Sequence, residues 1–339
     1  MALDEFSLIR RHFAPLATSP MALGLGDDAA ILAGDPASEL VVTTDTLAAG
    51  VHFLADDPPE TIGHKLLAVN LSDLAAMGAQ PLAYLLSVAL PRDWSPAVVD
   101  DWIAAFVQGL GALQGEAGIC LIGGDTVASP HDLVLGLTAI GRVPAGRALR
   151  RSGARPGDLV WVSGTIGDGT LGLAVLRGVL ADLPPVLARS LVERYRRPTP
   201  RLALGGRLVG LALAAADVSD GLIADLGHIC EASGVSAELD LDRLPLSPAA
   251  AAVIEGERSR LVDLATGGDD YELVFTAPPT AADAIAAAAA AASVAVTAVG
   301  RITEPAENSS TVIKKSPVKV VANGRIISVP RGGYAHFGA

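Results

Sequence analysis

The chain has 339 residues, half of them hydrophobic and 18% charged, with a formal net charge of −12. That balance excludes the disordered class and a generic nucleic-acid binder, which would carry a basic stripe. At roughly 100–200 residues per domain, the length fits two domains.

Met1-Ala2-Leu3-Asp4-Glu5-Phe6 places acid where an export signal needs basic residues ahead of a long apolar run, so no export signal is expected. The most apolar stretch, 284–299, is mainly alanine and falls short of the ~20 strongly apolar residues of a membrane span. It reads as a helix running into a strand. Cys120 and Cys230 show no metal or redox spacing, which suits two small core residues in a reducing cytoplasm.

A short amphipathic helix over 4–13 is expected first, then a glycine-rich turn and a strand over 40–44 ending at Asp45. Pro58-Pro59-Glu60 starts a helix whose apolar Ile62, Leu66, Val69 and Leu74 recur at helical spacing, with Gly78 as its C-terminal cap. A largely apolar strand over 80–90 follows; with Pro81 as its main guard, it is expected at an uncovered sheet edge. Ser95-Pro96 opens a helix to about Gly115, and strands over 119–122 and 133–143 complete a first β/α unit. Pro144-Ala145-Gly146-Arg147 and Arg155-Pro156-Gly157-Asp158 mark a boundary, drawn as domains 1–147 and 148–339. Beyond it, helices are expected at 168–180, 186–195, 200–214, 222–233 and 280–292. Strands are expected at 159–163, 216–219, 235–241, 271–276 and 294–299, and Asn323-Gly324 is a two-residue hairpin signal.

The acids carry the chemistry. Asp27-Asp28, Asp45, Asp73, Asp125, Asp217, Asp220 and Asp269-Asp270 mostly stand beside Gly, Ser or Thr at expected element ends. Singly, such residues make turns and caps. As a set they suit Mg²⁺, which takes a few carboxylates and shares phosphate oxygens of its substrate. Two carboxylates about 5 Å apart repel by roughly 3 kcal/mol at an effective dielectric near 20, so clustering many of them is costly without cations. Other nucleotide motifs fail. Gly24-Leu25-Gly26-Asp27-Asp28 puts acid where a dinucleotide pyrophosphate needs N–H groups, and none of the lysines (Lys65, Lys314, Lys315, Lys319) follows a glycine as in a Walker loop.

Several segments, taken in order, resemble the thiamine-monophosphate kinase family. They are Gly24-Leu25-Gly26-Asp27-Asp28-Ala29-Ala30, Thr44-Asp45-Thr46-Leu47 with Gly50-Val51-His52-Phe53, and Asn70-Leu71-Ser72-Asp73-Leu74-Ala75-Ala76-Met77-Gly78. Gly123-Gly124-Asp125-Thr126, Arg151-Ser152-Gly153-Ala154, Asp217-Val218-Ser219-Asp220-Gly221-Leu222, Tyr271-Glu272-Leu273 and Gly333-Tyr334 continue the match towards the C-terminus. The family belongs to the ATP-binding superfamily of aminoimidazole ribonucleotide synthetase and selenide-water dikinase.

The resemblance implies a two-domain α/β (α+β) fold of the aminoimidazole ribonucleotide synthetase type, its N-terminal sheet paired across a homodimer and its C-terminal α/β domain completing the site. It implies Mg²⁺- and ATP-dependent phosphorylation of thiamine monophosphate to thiamine diphosphate. Asp28, Thr43, Thr44, Asp45, Asp73, Asp125, Asp217 and Asp220 would hold Mg²⁺; Gly124, Asp125, Arg151 and Ser219 would contact ATP; and His52, Asp269 and Tyr334 would face the thiamine phosphate. Asp45, Asp125 and Arg151 would be the catalytic set. The sequence departs from the family at Asp269, where Glu is usual, and at Ala335, where Asp is usual. Lys65, on the same helix as Asp73, reads as solvated or ion-paired. No nucleic-acid or membrane partner is expected. The alternatives are a ligase of the same superfamily and a non-catalytic Mg²⁺–nucleotide-dependent scaffold.

Overall fold

The structure is a computed structural model that describes residues 5–25, 29–30, 32–255, 257–305, 316–329 and 332–334. It divides into two compact units. Unit 1 comprises Met1–Leu74 with Ala79–Gly146, and unit 2 comprises Ala75–Gly78 with Arg147–Ala339.

Unit 1 begins with α1 (Glu5–Leu8), which continues as a π-helical stretch over Ile9–Phe13. The elements β1 (Ser38–Ala48), α2 (Pro59–Ala76), β2 (Gln80–Pro91), α3 (Pro96–Ala117), β3 (Leu121–Ser129) and β4 (Val134–Pro144) follow. The caps explain the helix ends. Ser95 accepts from the Val98 N–H at 3.4 Å to start α3, and left-handed Gly118 ends it. The two helices cross tightly, since a Cβ on Gly63 would lie 2.1 Å from the Phe106 carbonyl oxygen.

The strand order is β1-β4-β2-β3. This overturns the expected uncovered edge at 80–90: β2 lies inside the sheet, between β4 and β3, and the edges are β1 and β3. Pro81 is tolerated there because it stands at an irregularity in the β2–β4 register. One face of the sheet, carrying Tyr84, Leu86, Leu135 and Leu137, is buried. The Tyr84 hydroxyl donates to Gln114 of α3 at 2.9 Å on that face. The other face holds the row Thr46–Gly136–Ser87–Asp125 and the neighbouring row through Thr44 and Thr138.

Unit 2 contains β5 (Leu159–Ser163), α4 (Asp168–Leu176), α5 (Pro185–Arg196), α6 (Leu202–Leu208), β6 (Ala214–Asp217), α7 (Leu222–Ser233) and β7 (Ser236–Asp240). It continues with α8 (Pro248–Ile254), α9 (Leu261–Thr266), β8 (Leu273–Ala277), α10 (Ala282–Ala291), β9 (Val296–Thr303), β10 (Val318–Ala322) and β11 (Arg325–Ile327). Among the described residues its seven strands run in the order β11-β10-β7-β9-β5-β8-β6. The helix expected over 200–214 stops at Leu208, because Gly210 turns with φ 86° and Ala214 enters the sheet. Asn323 and Gly324, at φ 50° and 68°, form the turn between β10 and β11. Both cysteines are free and buried, Cys120 in unit 1 and Cys230 in unit 2. Among the described residues no helix is long and apolar enough to cross a membrane.

Candidate active site

Unit 1 brings Thr43, Asp45 and Asp73 together. The Thr43 hydroxyl donates to Asp73 Oδ2 at 2.5 Å, and the Asp45 N–H donates to Asn70 Oδ1 at 3.1 Å. Asn70 is itself fixed by donating to the Leu66 carbonyl one turn earlier. Burial, and then the neighbouring Asp73 carboxylate, push the Asp45 carboxyl up to about 6. Two hard-oxygen groups held this close, one of them already strained towards protonation, form a donor set that fits Mg²⁺.

Thr44 does not join them. Successive strand residues point to opposite faces, and its hydroxyl donates to the Leu137 carbonyl and accepts from Thr138. Asp125 lies on the other sheet edge in an exposed position. Three inter-strand spacings separate β1 from β3, about 14 Å, so Asp45 and Asp125 of one chain cannot bond one cation at ~2.1 Å. Gly124 and Asp125 border a cavity of about 580 Å³ walled by Phe13, Leu25, Leu32 and Ile140. Asp28 and Ala335 lie outside the described residues.

His52 is half-buried, and its Nδ1 accepts from the Ala48 N–H at 3.1 Å. A neutral imidazole in that arrangement carries its proton on Nε2. Lys65 is 2% exposed and donates to the His52 carbonyl at 3.1 Å, so of the two states expected, solvated or ion-paired, burial on the His52 turn rules out the solvated one.

In unit 2 the strand β6 ends at buried Asp217, and the next residues turn before α7. The N–H groups of Ser219, Asp220 and Gly221 all donate to Asp225 Oδ2, at 3.1, 3.2 and 3.2 Å. Burial, and then the charge of Asp220, push Asp225 up to about 7, although the donated N–H groups and Arg151 pull the other way. Arg151 is exposed, and its loop is held because Ser233 donates to its carbonyl and accepts from the N–H groups of Gly153 and Ala154. Asp220, Asp225 and His228 carry ligand atoms within 4.8 Å of one another. Sequence reasoning missed Asp225 and His228; their placement three and six residues into α7 was the available signal.

Asp269 N–H donates to the Ser219 carbonyl at 3.0 Å, and the Tyr334 N–H to the Asp220 carbonyl at 3.0 Å. The two expected substrate-facing residues are thus joined by backbone bonds to the expected nucleotide loop. Asp270 is no cation ligand: it is 1% exposed, with its oxygens accepting from the Gly167 and Gly169 N–H groups at 2.7 and 3.0 Å. Burial pushes its carboxyl up to about 8. Glu272, fully buried, accepts from Ser163, Arg194 and Arg201.

These folds and sites place the chain in a class. Residues 26–143 match the N-terminal domain model of the AIR synthase related proteins and residues 155–313 match the C-terminal domain model, so the chain belongs to that family. Within it the chain is a member of the thiamine-monophosphate kinases. It is 43% identical to the thiamine-monophosphate kinase of Salmonella typhimurium over 339 residues, 99% of each chain. It also resembles the crystal structure of the enzyme of that name from Stenotrophomonas maltophilia, with 41% identity, 96% and 98% of the two chains covered and a TM-score of 0.80. AaThiL complexed with AMPPCP and TMP is 31% identical over 99% of each chain, with a TM-score of 0.75. The expected two-domain fold and family hold.

Proposed function

We propose that this chain transfers the γ-phosphoryl group of ATP to thiamine monophosphate, forming thiamine diphosphate by direct in-line attack. The observation that carries this reading is the full-length similarity to AaThiL complexed with AMPPCP and TMP. It favours a kinase over the superfamily ligase and the scaffold.

Thr43, Asp45 and Asp73 would hold Mg²⁺ in unit 1 and Asp217 and Asp220 in unit 2; Asp28 and Asp125 complete the assigned set, from which Thr44 drops out because its hydroxyl is engaged on the opposite sheet face. Bound Mg²⁺ supplies charge neutralisation for the polyphosphate and for the transferring group. Gly124, Asp125, Arg151 and Ser219 would contact ATP, with the exposed Arg151 as a cation for its phosphates. The acceptor is a phosphate monoester whose second pKa is near 6, so at pH 7 its oxygen is already ionised and no general base is needed. The Nε2 proton of His52 would donate to that phosphate, and Asp269 and Tyr334 would contact the remainder of the substrate. The reaction belongs in the cytoplasm, where ATP and Mg²⁺ are supplied and free thiols persist.

A homodimer fits the uncovered face of the unit 1 sheet. Leu40, Val42 and Val127 are 50%, 60% and 50% exposed there, with exposed Leu85 beside them. Exposed large apolar side chains on one sheet face suit an interface, and a second copy of the same sheet would supply both the apolar positions and the threonine and serine rows between them.

An assay with ATP and Mg²⁺ against thiamine monophosphate, thiamine and aminoimidazole ribonucleotide precursors tests the reading. Thiamine diphosphate formed from the monophosphate alone is the expected product, and its absence removes the proposal.

A further inference from the structure

The loop 267–272 is built to hold one carboxylate still. Asp269 and Tyr271 both have left-handed backbones, φ 69° and 51°, a conformation disfavoured for residues with a Cβ. A loop with two such residues persists only where its surroundings over-determine it. The residue between them, Asp270, is buried and takes the N–H groups at the start of α4, from Gly167 at 2.7 Å and Gly169 at 3.0 Å. Arg194 of α5 reaches the Asp270 carbonyl at 3.4 Å while binding Glu272 at 2.8 Å. Thr170 donates to the Gly268 carbonyl at 3.1 Å.

Close backbone contact completes the enclosure. A Cβ on Gly169 would lie 2.3 Å from the Asp269 carbonyl oxygen, and one on Gly268 would lie 2.3 Å from that of Ser219. The loop is therefore pressed between the α4 start and the Ser219 turn, with Asp269 half-buried and Tyr271 donating its hydroxyl to Asp269 Oδ1 at 3.1 Å. Nothing in that arrangement gives Asp270 access to a ligand.

We infer that Asp270 is a positioning residue for the phosphoryl-acceptor side of the site, acting through Asp269. It pins the strained loop so that the shorter Asp269 side chain meets thiamine monophosphate at a fixed place. The inference rests on the proposed contact of Asp269 with that substrate. Asp270→Asn keeps the shape but sets an amide donor against one of the two N–H groups, which frees the loop at that point.

The test is a double-mutant cycle of Asp269→Ala and Asp270→Asn, read as KM for each substrate and kcat, with wild type run first to establish the kinase reaction. Asp270→Asn is expected to raise KM for thiamine monophosphate about tenfold, the scale of one weakened hydrogen bond, with KM for ATP within about twofold. In the Asp269→Ala background the same change is expected to have no further effect on KM for thiamine monophosphate. Additive losses in the double variant would assign Asp270 a general structural role and overturn the inference, as would an Asp269→Ala enzyme with wild-type KM. Should Asp270→Asn fail to fold, Thr170→Val removes the bond to Gly268 in the same loop and is expected to show the same selective rise and the same dependence on Asp269. An unchanged KM in that variant would overturn the inference. Wild-type protein that makes no thiamine diphosphate would instead fail the proposed function, an outcome visible before any variant is compared.

Discussion

Thr43 and Asp73, thirty positions apart, are joined by a hydroxyl-to-carboxylate hydrogen bond that ties β1 to α2. The bond fixes one carboxylate oxygen of Asp73 and leaves Asp45 beside it in a partly desolvated position. Asp45→Asn is therefore expected to cut turnover at least a hundredfold, the scale of losing a metal ligand from a phosphoryl-transfer site, with the fold intact. Asp125→Asn is expected to do the same from the other sheet edge. Steady-state turnover at saturating Mg²⁺, at equal folded content, measures both losses, and near wild-type turnover in both variants would count against the assignment.

The raised Asp45 carboxyl gives a pH dependence with a definite sign. Its folded value of about 6 lies above its ordinary value of 3.8, so ionisation destabilises the metal-free fold. That cost is absent at low pH, grows as pH rises from about 4, and is complete above about 6. In metal-free protein, Asp45→Asn should raise the melting temperature at pH 8 and leave it nearly unchanged at pH 4. Mg²⁺ must displace the proton, so its apparent affinity should fall about tenfold per pH unit below 6. A Mg²⁺ titration at pH 5 and pH 7 measures that.

Light scattering is expected to give a dimer mass at micromolar concentration. Val42→Glu, which puts charge into the uncovered apolar face, should shift the mass towards monomer without lowering the helix and strand content seen by circular dichroism. A wild-type monomer across that range would contradict the dimer.

The clamp of Arg194 and Arg201 on Glu272 has no exposed carboxylate atom to rehydrate. Glu272→Ala leaves two guanidinium groups facing a buried void and should cost about 3–5 kcal/mol in urea unfolding.

Transfer without a phosphoenzyme predicts sequential initial-rate kinetics. Parallel double-reciprocal lines, or labelled phosphate left on denatured protein after ATP alone, would show a covalent step instead.

The helix over 222–233 and the strand over 159–163 were legible because their ends are marked locally, by Gly221 and left-handed Gly234 and by the turn at Pro156-Gly157. The inner position of β2 was not, since it follows from pairing with residues up to about sixty positions away. The short helix α8 was missed although Ser247-Pro248 carries its cap. Among the site residues, acids in small-residue turns could be read from the chain. Which of them face a ligand and which are pinned inward could not: Asp269 and Asp270 are neighbours with the same side chain, and only the backbone of Gly167 and Gly169 distinguishes them.

The two cysteines fall one to each unit, and each thiol is held in its unreactive form. Burial pushes Cys230 up to about 12 and raises Cys120 as well. The thiolate is the form that attacks a disulfide reagent, and both sulfurs are buried, so labelling at neutral pH is expected to wait until the structure around each one opens. The labelling rate at Cys120 thus times the opening of unit 1 and that at Cys230 the opening of unit 2. The native sequence supplies its own pair of chemical clocks for asking whether nucleotide quiets one half of the molecule or both.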